Sequence, residues 1–171
     1  MNDPVSKPVR MDLPNVVDKP NRDPSFLAPF FYERVLKLLA RCKDQGLNMD
    51  IFEGYRSPER QEWLYASSRT REGKWLTDAK PFRSWHQYCL GADIVFKNPS
   101  WTWEEPRKGD WDLFRKIAVE MGFETLKKEY PHIQISSGLS TTEARKIQQT
   151  QGLIGLWSVV EQRLKLLDRT V

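Results

Sequence analysis

The chain contains two histidines, and each lies beside carboxylates that could help to hold a metal ion. His86 precedes Asp93 by seven residues, and His132 follows Glu129 by three. Two neutral imidazoles and one carboxylate form a three-ligand set for zinc whose fourth position stays open to water, as in catalytic zinc sites. Glu129 could act as the base for that water. These residues suggest a zinc hydrolase.

Two other interpretations of the same residues stay open at this point. A histidine near an aspartate often makes only a structural hydrogen bond, and spacing alone does not separate the two roles. Cys89 lies within the first histidine segment, and its thiolate as a fourth ligand would close the site and abolish hydrolysis. The two cysteines, Cys42 and Cys89, form no CxxC pair, and Cys42 lies on the apolar face of a predicted helix.

Length and composition are those of one soluble domain. The chain has 171 residues, 39% apolar and 29% charged. Its net charge of +4 favours anionic partners such as cell-wall polymers, but no dense Lys/Arg block indicates nucleic-acid binding. No stretch reaches the roughly 18 apolar residues of a membrane span. Residues 1–8 lack the pattern of a signal peptide, so we expect synthesis in the cytoplasm.

Hydrophobic periodicity predicts strands and helices mixed without regular βαβ alternation, which indicates an α+β fold. Asp110 is predicted to cap a helix that ends at Gly122, and Ser140 with Glu143 has the spacing of a capping box. The other predicted helices cover about 29–45, 58–68 and the apolar stripe at 153–167, and the predicted strands cover 48–54, 90–96 and 132–136.

Three segments are distinguished by composition. Residues 1–24 contain five prolines and are predicted to form an extended arm. Residues 25–137 contain both histidines and form the predicted catalytic domain. Residues 138–171 carry an apolar stripe that could dock on the domain, form a dimer contact or touch a membrane. The polar face of this helix is mixed in charge, which argues against strong membrane binding. Docking on the domain is favoured, and we expect a monomer.

The motifs around the histidines resemble those of peptidase family M15, which includes VanY- and VanX-type D-Ala-D-Ala peptidases and the L-alanyl-D-glutamate endopeptidases of phage endolysins. Ser84 precedes His86 in a Ser-x-His motif, and Asp93 follows at the family's spacing. The resemblance covers roughly residues 24–137. Its other motifs are GYRSPERQ at 54–61, LY at 64–65, RTREGK at 69–74, TDAKP at 77–81 and PHIQ at 131–134.

This resemblance implies a small antiparallel sheet flanked by helices, the zinc fold shared by Hedgehog and D-Ala-D-Ala peptidases. It implies that His86, Asp93 and His132 bind zinc and that Glu129 is the catalytic acid/base. It also implies that Arg56 faces the substrate carbonyl or carboxylate, where its charge would stabilise an oxyanion.

Three further residues are candidates for substrate binding. Ser84 is expected either to bond substrate or to steady its loop. Gln61 is expected to brace the site. Tyr88 is expected either to line the cleft or to pack in the core. Gln134 is expected to hold a metal-bound histidine through the other ring nitrogen.

The sequence departs from the family at positions that border the cleft. Cys89 and Gly91 stand where Gly and Ala are usual, Gln87 replaces a common Asn, and segment 122–129 lacks a Trp-Gly-Gly loop. The ligands are intact, so substrate choice alone is affected. The resemblance implies a zinc peptidase acting on peptidoglycan stem peptides, preferably an L-alanyl-D-glutamate endopeptidase released to the wall as phage lysis enzymes are. The alternatives are a D-Ala-D-Ala carboxypeptidase or dipeptidase and an inactive wall-binding module.

Overall fold

A computed structural model describes residues 12–168 of the chain as an α+β domain, as predicted. Two short 3₁₀ helices accompany the main elements, at Pro24–Phe26 and Trp85–Tyr88. The helices are α1 (Pro29–Asp44), α2 (Pro58–Ala66), α3 (Asp110–Glu120) and α4 (Thr141–Leu167), and the strands are β1 (Met49–Glu53), β2 (Gly91–Lys97), β3 (Trp101–Thr102), β4 (Glu124–Leu126) and β5 (Glu129–Gln134).

The strands form one antiparallel sheet in the order β1-β2-β5-β4, with β3 pairing to β2. β2 is the predicted central strand. Its residues Ala92, Ile94 and Phe96 are fully buried in the core, on which α1 and α3 pack. Side chains alternate between the faces of a strand, so Asp93 points to the opposite face. The sheet therefore separates an apolar core from the side on which Asp93 lies.

The starts of two helices test the capping residues that the sequence predicted. The capping box of Ser140 and Glu143 is present at the start of α4, which confirms that prediction. The prediction that Asp110 caps α3 is wrong, because Asp110 is the first helical residue and Gly109 precedes it with a φ of +94°. The Asp110 carboxylate instead accepts hydrogen bonds from Arg107, in the preceding loop.

The segments at the two ends of the described chain lie against the domain. The carbonyl of Val17 accepts a hydrogen bond from Arg60, and that of Asn21 accepts one from the backbone of Gly54. On α4, the indole of Trp157 donates to the carbonyl of Tyr88 at 2.8 Å. Residues 1–11 of the predicted arm and 169–171 lie outside the described residues. No helix within residues 12–168 has the length and apolar character needed to cross a bilayer.

Candidate metal centre

The centre of the site is a row of polar side chains that the sheet register places side by side. Asp93 on β2 lies opposite Glu53 of β1 and opposite His132 of β5. Residues directly opposite each other on antiparallel strands have their side chains in contact distance on the same face. The register shift between Ile51 and Glu53 is a bulge, which often re-aims a side chain near a site. Three strands thus bring these groups together.

His86 reaches the row from the 3₁₀ helix Trp85–Tyr88, which packs against the start of β2. The hydroxyl of Ser84 accepts a hydrogen bond from the backbone of His86 at 3.4 Å and caps this helix. Gly91 allows the close approach, since a Cβ there would lie only 3.1 Å from the His86 backbone nitrogen. Cap and glycine together fix where the imidazole points.

The three predicted ligands converge on one small volume. Asp93 Oδ1 lies 3.3 Å from His86 Nε2 and 3.2 Å from His132 Nδ1. One ligand atom of each residue lies within 4.8 Å of the other two. Both imidazoles are buried, with 1% and 3% of their surface exposed. The structure therefore brings together the group of residues that the sequence predicted.

In each histidine one ring nitrogen faces Asp93 and the other faces away from it. The hydrogen bonds of the nitrogens that face away show that the nitrogens facing Asp93 carry lone pairs. The Gly54 carbonyl can only accept, so His86 Nδ1, 2.6 Å away, carries the proton and Nε2 carries the lone pair. On the other ring, His132 Nε2 faces Gln134 Oε1 at 2.9 Å, which leaves the lone pair on Nδ1. When both rings are neutral, two lone pairs therefore face the same Asp93 oxygen, an arrangement that suits a bound cation.

A carboxylate not identified from the sequence fixes the second of these arrangements. Glu124 on β4 accepts a hydrogen bond from the Gln134 amide nitrogen at 3.0 Å, and this orients the amide oxygen toward His132. The other Glu124 oxygen accepts from the backbone and hydroxyl of Ser136 at 2.8 and 2.7 Å. Glu124 therefore selects the tautomer of His132 through Gln134.

The surroundings of the cluster favour a charged Asp93. Burial lowers the pKa of His86, and the Arg56 charge lowers it further. Burial also opposes a charge on His132, but the hydrogen bond that a protonated Nδ1 donates to Asp93 outweighs this and raises the pKa of His132. For Asp93, burial is overcome by the imidazoles and Arg56, so its pKa lies well below the usual range. The Asp93 carboxylate is therefore charged beside Arg56, as a metal ligand must be.

Arg56 is held in a buried ion-pair network beside the ligands. It donates to Asp93 Oδ2 at 2.9 Å, to Glu53 Oε2 from two nitrogens, and to Gln61 at 3.1 Å. Arg60 donates to the other Glu53 oxygen. Glu53 is 2% exposed and was not identified from the sequence, although an acid at the alternate position after Met49 and Ile51 is a usable signal. Arg56 thus positions Asp93 as well as bordering the cleft.

Glu129 is the one predicted site residue whose side chain is not bonded into the protein. It begins β5, is half-buried, and lines the cleft together with Arg56 and Asp93. It also lines a smaller hollow together with His132. Among residues 12–168, no hydrogen bond or salt bridge involves its carboxylate. That carboxylate is therefore available to exchange a proton with a molecule in the cleft.

The structure distinguishes the three residues predicted to bind substrate. Tyr88 is fully buried and its hydroxyl lies within hydrogen-bond distance of the carbonyls of Phe82 and Thr141, so its side chain packs in the core, which is the second of its two expected roles. Gln61 is also fully buried and braces Arg56. Ser84 steadies its loop through the cap described above and borders the smaller hollow.

Cys89 does not belong to the ligand group. Within the described part of the chain, the cluster of close ligand atoms contains His86, Asp93 and His132 alone. Cys89 is fully buried, and burial raises the pKa of its thiol, which disfavours the thiolate that zinc requires. Its φ of +61° lies in the left-handed region that glycine adopts most readily. The site therefore keeps the open side of a three-ligand centre.

The site opens into a cleft of about 440 Å³ with residues of opposite character on its walls. The lining of the cleft includes the charged residues Asp93, Arg56 and Glu129 and the apolar residues Phe52, Trp75, Leu76, Trp103, Trp111 and Tyr130. A pocket of this size suits a ligand of small-molecule dimensions. A small α+β fold with a buried His–Asp–His group beside such a cleft defines a class of proteins equipped for metal-assisted hydrolysis.

Comparison with known proteins identifies the family within this class. The family model "VanY: D-alanyl-D-alanine carboxypeptidase" matches residues 25–138, and the chain belongs to this family of M15 peptidases. The peptidoglycan L-alanyl-D-glutamate endopeptidase CwlK of Bacillus subtilis (strain 168) is 32% identical over 125 residues, covering 66% of this chain and 75% of CwlK. The resemblance inferred from the motifs is thereby confirmed.

A solved structure shares the fold. The LdcB LD-carboxypeptidase superposes with a TM-score of 0.53 at 18% identity, covering 91% of this chain and 80% of LdcB. The predicted sheet flanked by helices is the fold of LdcB. The L,D-carboxypeptidase DacB of Streptococcus pneumoniae gives a TM-score of 0.49 at 22% identity, covering 78% of this chain and 73% of DacB.

Proposed function

We propose that this chain is a zinc-dependent peptidase that cleaves the stem peptides of peptidoglycan at the L-alanyl-D-glutamate bond. The proposal rests on one observation above all. Two imidazole lone pairs and a carboxylate oxygen converge, and the carboxylate and an unbonded glutamate both line a cleft large enough for a short peptide. The 32% identity to an L-alanyl-D-glutamate endopeptidase supports the choice of bond.

His86 Nε2, Asp93 Oδ1 and His132 Nδ1 would hold the zinc ion. The donor set fits, because neutral imidazole and carboxylate are ordinary zinc ligands and each outer ring nitrogen is held by a carbonyl oxygen. When bound, zinc supplies Lewis-acid polarisation of the scissile carbonyl and of the attacking water.

Glu129 moves the proton in this proposal. Its carboxylate accepts a proton from the attacking water, whose oxygen forms a bond to the carbonyl carbon. It then returns that proton to the amine nitrogen as the C–N bond breaks. A group that both accepts and donates must be free to face the cleft, and the unbonded, half-buried side chain of Glu129 meets this condition.

Arg56 contributes a fixed positive charge. A guanidinium has five N–H groups, and four of those of Arg56 are used by Glu53, Gln61 and Asp93. The remaining N–H on Nη1 can donate to a substrate oxygen at the cleft. A donor held rigidly by buried partners stabilises a developing oxyanion better than a mobile one.

Two other functions within the same family are outcomes of the test. The description of the matching family model supports a D-alanyl-D-alanine carboxypeptidase. A wall-binding module without turnover is less favoured, because Glu129 and Arg56 are both present at the cleft. In either case the proposed place of action is the cell wall, after release of the protein as in phage lysis.

The identity of the cleaved bond tests the proposal. Purified protein loaded with zinc is incubated with peptidoglycan, and new termini are identified by mass spectrometry. We expect new amino termini on D-Glu. Release of single D-Ala residues would instead establish the carboxypeptidase, and the absence of products from zinc-loaded protein would contradict a peptidoglycan hydrolase and favour the binding module.

A further inference from the structure

The cleft has an apolar wall that the proposed chemistry leaves unused. We define the aromatic wall as Trp75, Leu76, Trp103 and Tyr130, which come from three separate segments of the chain. Their exposed fractions are 45%, 46%, 51% and 43%, respectively. All four line the cleft that also contains Asp93 and Glu129. Exposed apolar side chains gathered at one cleft, rather than scattered singly, mark a binding surface.

The rings of the aromatic wall are held in place by the protein. The Trp75 indole nitrogen donates to Asp78 at 3.1 Å. The Trp103 ring packs against Phe52 with centroids 5.1 Å apart, and its carbonyl accepts a hydrogen bond from Trp111 at 3.2 Å. The bond of Trp75 uses the edge of its indole, and Phe52 can cover at most one face of the Trp103 ring. Ring faces are therefore left at the cleft for a ligand.

Ring faces of this kind select a particular chemistry. The face of an indole carries partial negative charge and attracts groups whose edge is partially positive. The C–H groups on one face of a pyranose ring have this character and are flat, so they can cover an indole. Peptidoglycan stem peptides consist of alanine, glutamate and a diamino acid, none of which has a flat apolar side chain. Within the proposed substrate, the sugar is therefore the part that matches the wall.

We propose that the aromatic wall binds the N-acetylated sugar of the glycan strand to which the stem peptide is attached. This inference rests on the proposed function and extends it, because it makes glycan-attached peptide the preferred substrate. Trp75 and Trp103 act as stacking surfaces, and Glu129 and Asp93 lie in the same cleft beside the peptide.

The position of the wall also bears on which bond is cut. An extended residue spans roughly 3.3 to 3.6 Å. One alanine separates the muramic acid from an L-alanyl-D-glutamate bond, whereas four residues separate it from a D-alanyl-D-alanine bond. A wall within the same cleft of about 440 Å³ as the metal centre suits the shorter separation. The aromatic wall thus agrees with the endopeptidase.

Equilibrium binding tests the sugar site without turnover. Zinc-loaded, full-length protein carrying Glu129→Gln is titrated by calorimetry with two probes, the tripeptide L-Ala-D-Glu-L-Lys and the same tripeptide joined to N-acetylmuramic acid. We expect the muramoyl probe to bind more tightly. The preference for the sugar is the dissociation constant of the tripeptide divided by that of the muramoyl tripeptide. Adding Trp75→Ala or Trp103→Ala should reduce this ratio by roughly 2- to 12-fold, the range for one aromatic contact.

Trp101→Ala is the matched control, because Trp101 also packs against Phe52, at 5.6 Å, but does not line the cleft. It should leave the ratio unchanged. Equal binding of both probes, or an equal loss for both in the wall variants, would overturn the sugar site. Hydrolysis of the same probes by the unsubstituted protein is scored separately. Failure to cut either probe would contradict the proposed peptidase, while the binding ratio would still decide the sugar site.

Discussion

The two sides of the cleft are built in different ways. On the metal side, Asp93 accepts a hydrogen bond from Arg56 and lies 3.3 and 3.2 Å from a ring nitrogen of His86 and of His132, and all four groups lie on or against the central strands. On the other side, Trp75 and Trp103 lie in loops, are about half exposed and have few polar contacts. Rigid elements suit groups that must hold a metal within a few tenths of an ångström, and loops suit contacts that vary with the substrate.

Substitutions on the two sides of the cleft should therefore have different consequences. Changes on the metal side should affect folding and metal affinity, because each residue there satisfies buried partners. By the rim we mean the exposed residues that line the cleft away from the metal ligands. Changes at the rim should leave folding and metal affinity intact and alter the apparent affinity for substrate. If the two kinds of consequence do not separate by experiment, the two sides of the cleft do not differ in this way.

The largest expected effect on stability is that of Glu53→Gln. Glu53 accepts from both Arg56 and Arg60 in a nearly dry environment, so its loss leaves two buried cations without their main partner. Breaking a buried pair in this way costs about 3 to 5 kcal/mol. Urea unfolding measures it. Asp50→Asn, which removes an exposed ion pair with Lys97, is the control and should change stability by less than about 1 kcal/mol.

A smaller and more selective effect is expected for Glu124→Ala. The Gln134 amide would no longer be oriented, so His132 could take the wrong tautomer. Outer partners of metal ligands typically contribute about 10- to 100-fold to metal affinity or activity. Zinc titration against a competing chelator measures this. An affinity equal to that of the unsubstituted protein would show that Glu124 only supports Ser136.

The smallest expected effect is at the rim and has a matched pair of variants. Lys128 lines the cleft, whereas its neighbour Lys127 does not. Stem peptides carry carboxylates, so Lys128→Ala should raise the KM for peptide up to about 5-fold, the scale of an exposed ion pair. Lys127→Ala should leave KM unchanged. Identical effects of the two variants on KM, or a change in zinc affinity, would remove the distinction between rim and centre.

Much of this site could be predicted from the sequence, for identifiable reasons. β2 and α1 have apolar residues at the spacing of a strand and a helix, and the histidine motifs have a family spacing. β3 and β4 have only two and three residues, too few for any periodicity, so Glu124 could not be placed. Tyr88 depends on a partner 53 residues away, Thr141, and no local pattern encodes its burial.

Zinc content and wall hydrolysis, measured side by side for the unsubstituted protein and for Glu129→Gln, test the central claim most directly. We expect one zinc per chain in both proteins, because Glu129 is not a proposed ligand. We expect hydrolysis of peptidoglycan by the unsubstituted protein and a loss of about 10²- to 10⁴-fold in the variant. Hydrolysis by the variant at the original rate would contradict the proposed role of Glu129, and failure of the unsubstituted protein to bind zinc would contradict the proposed metal site.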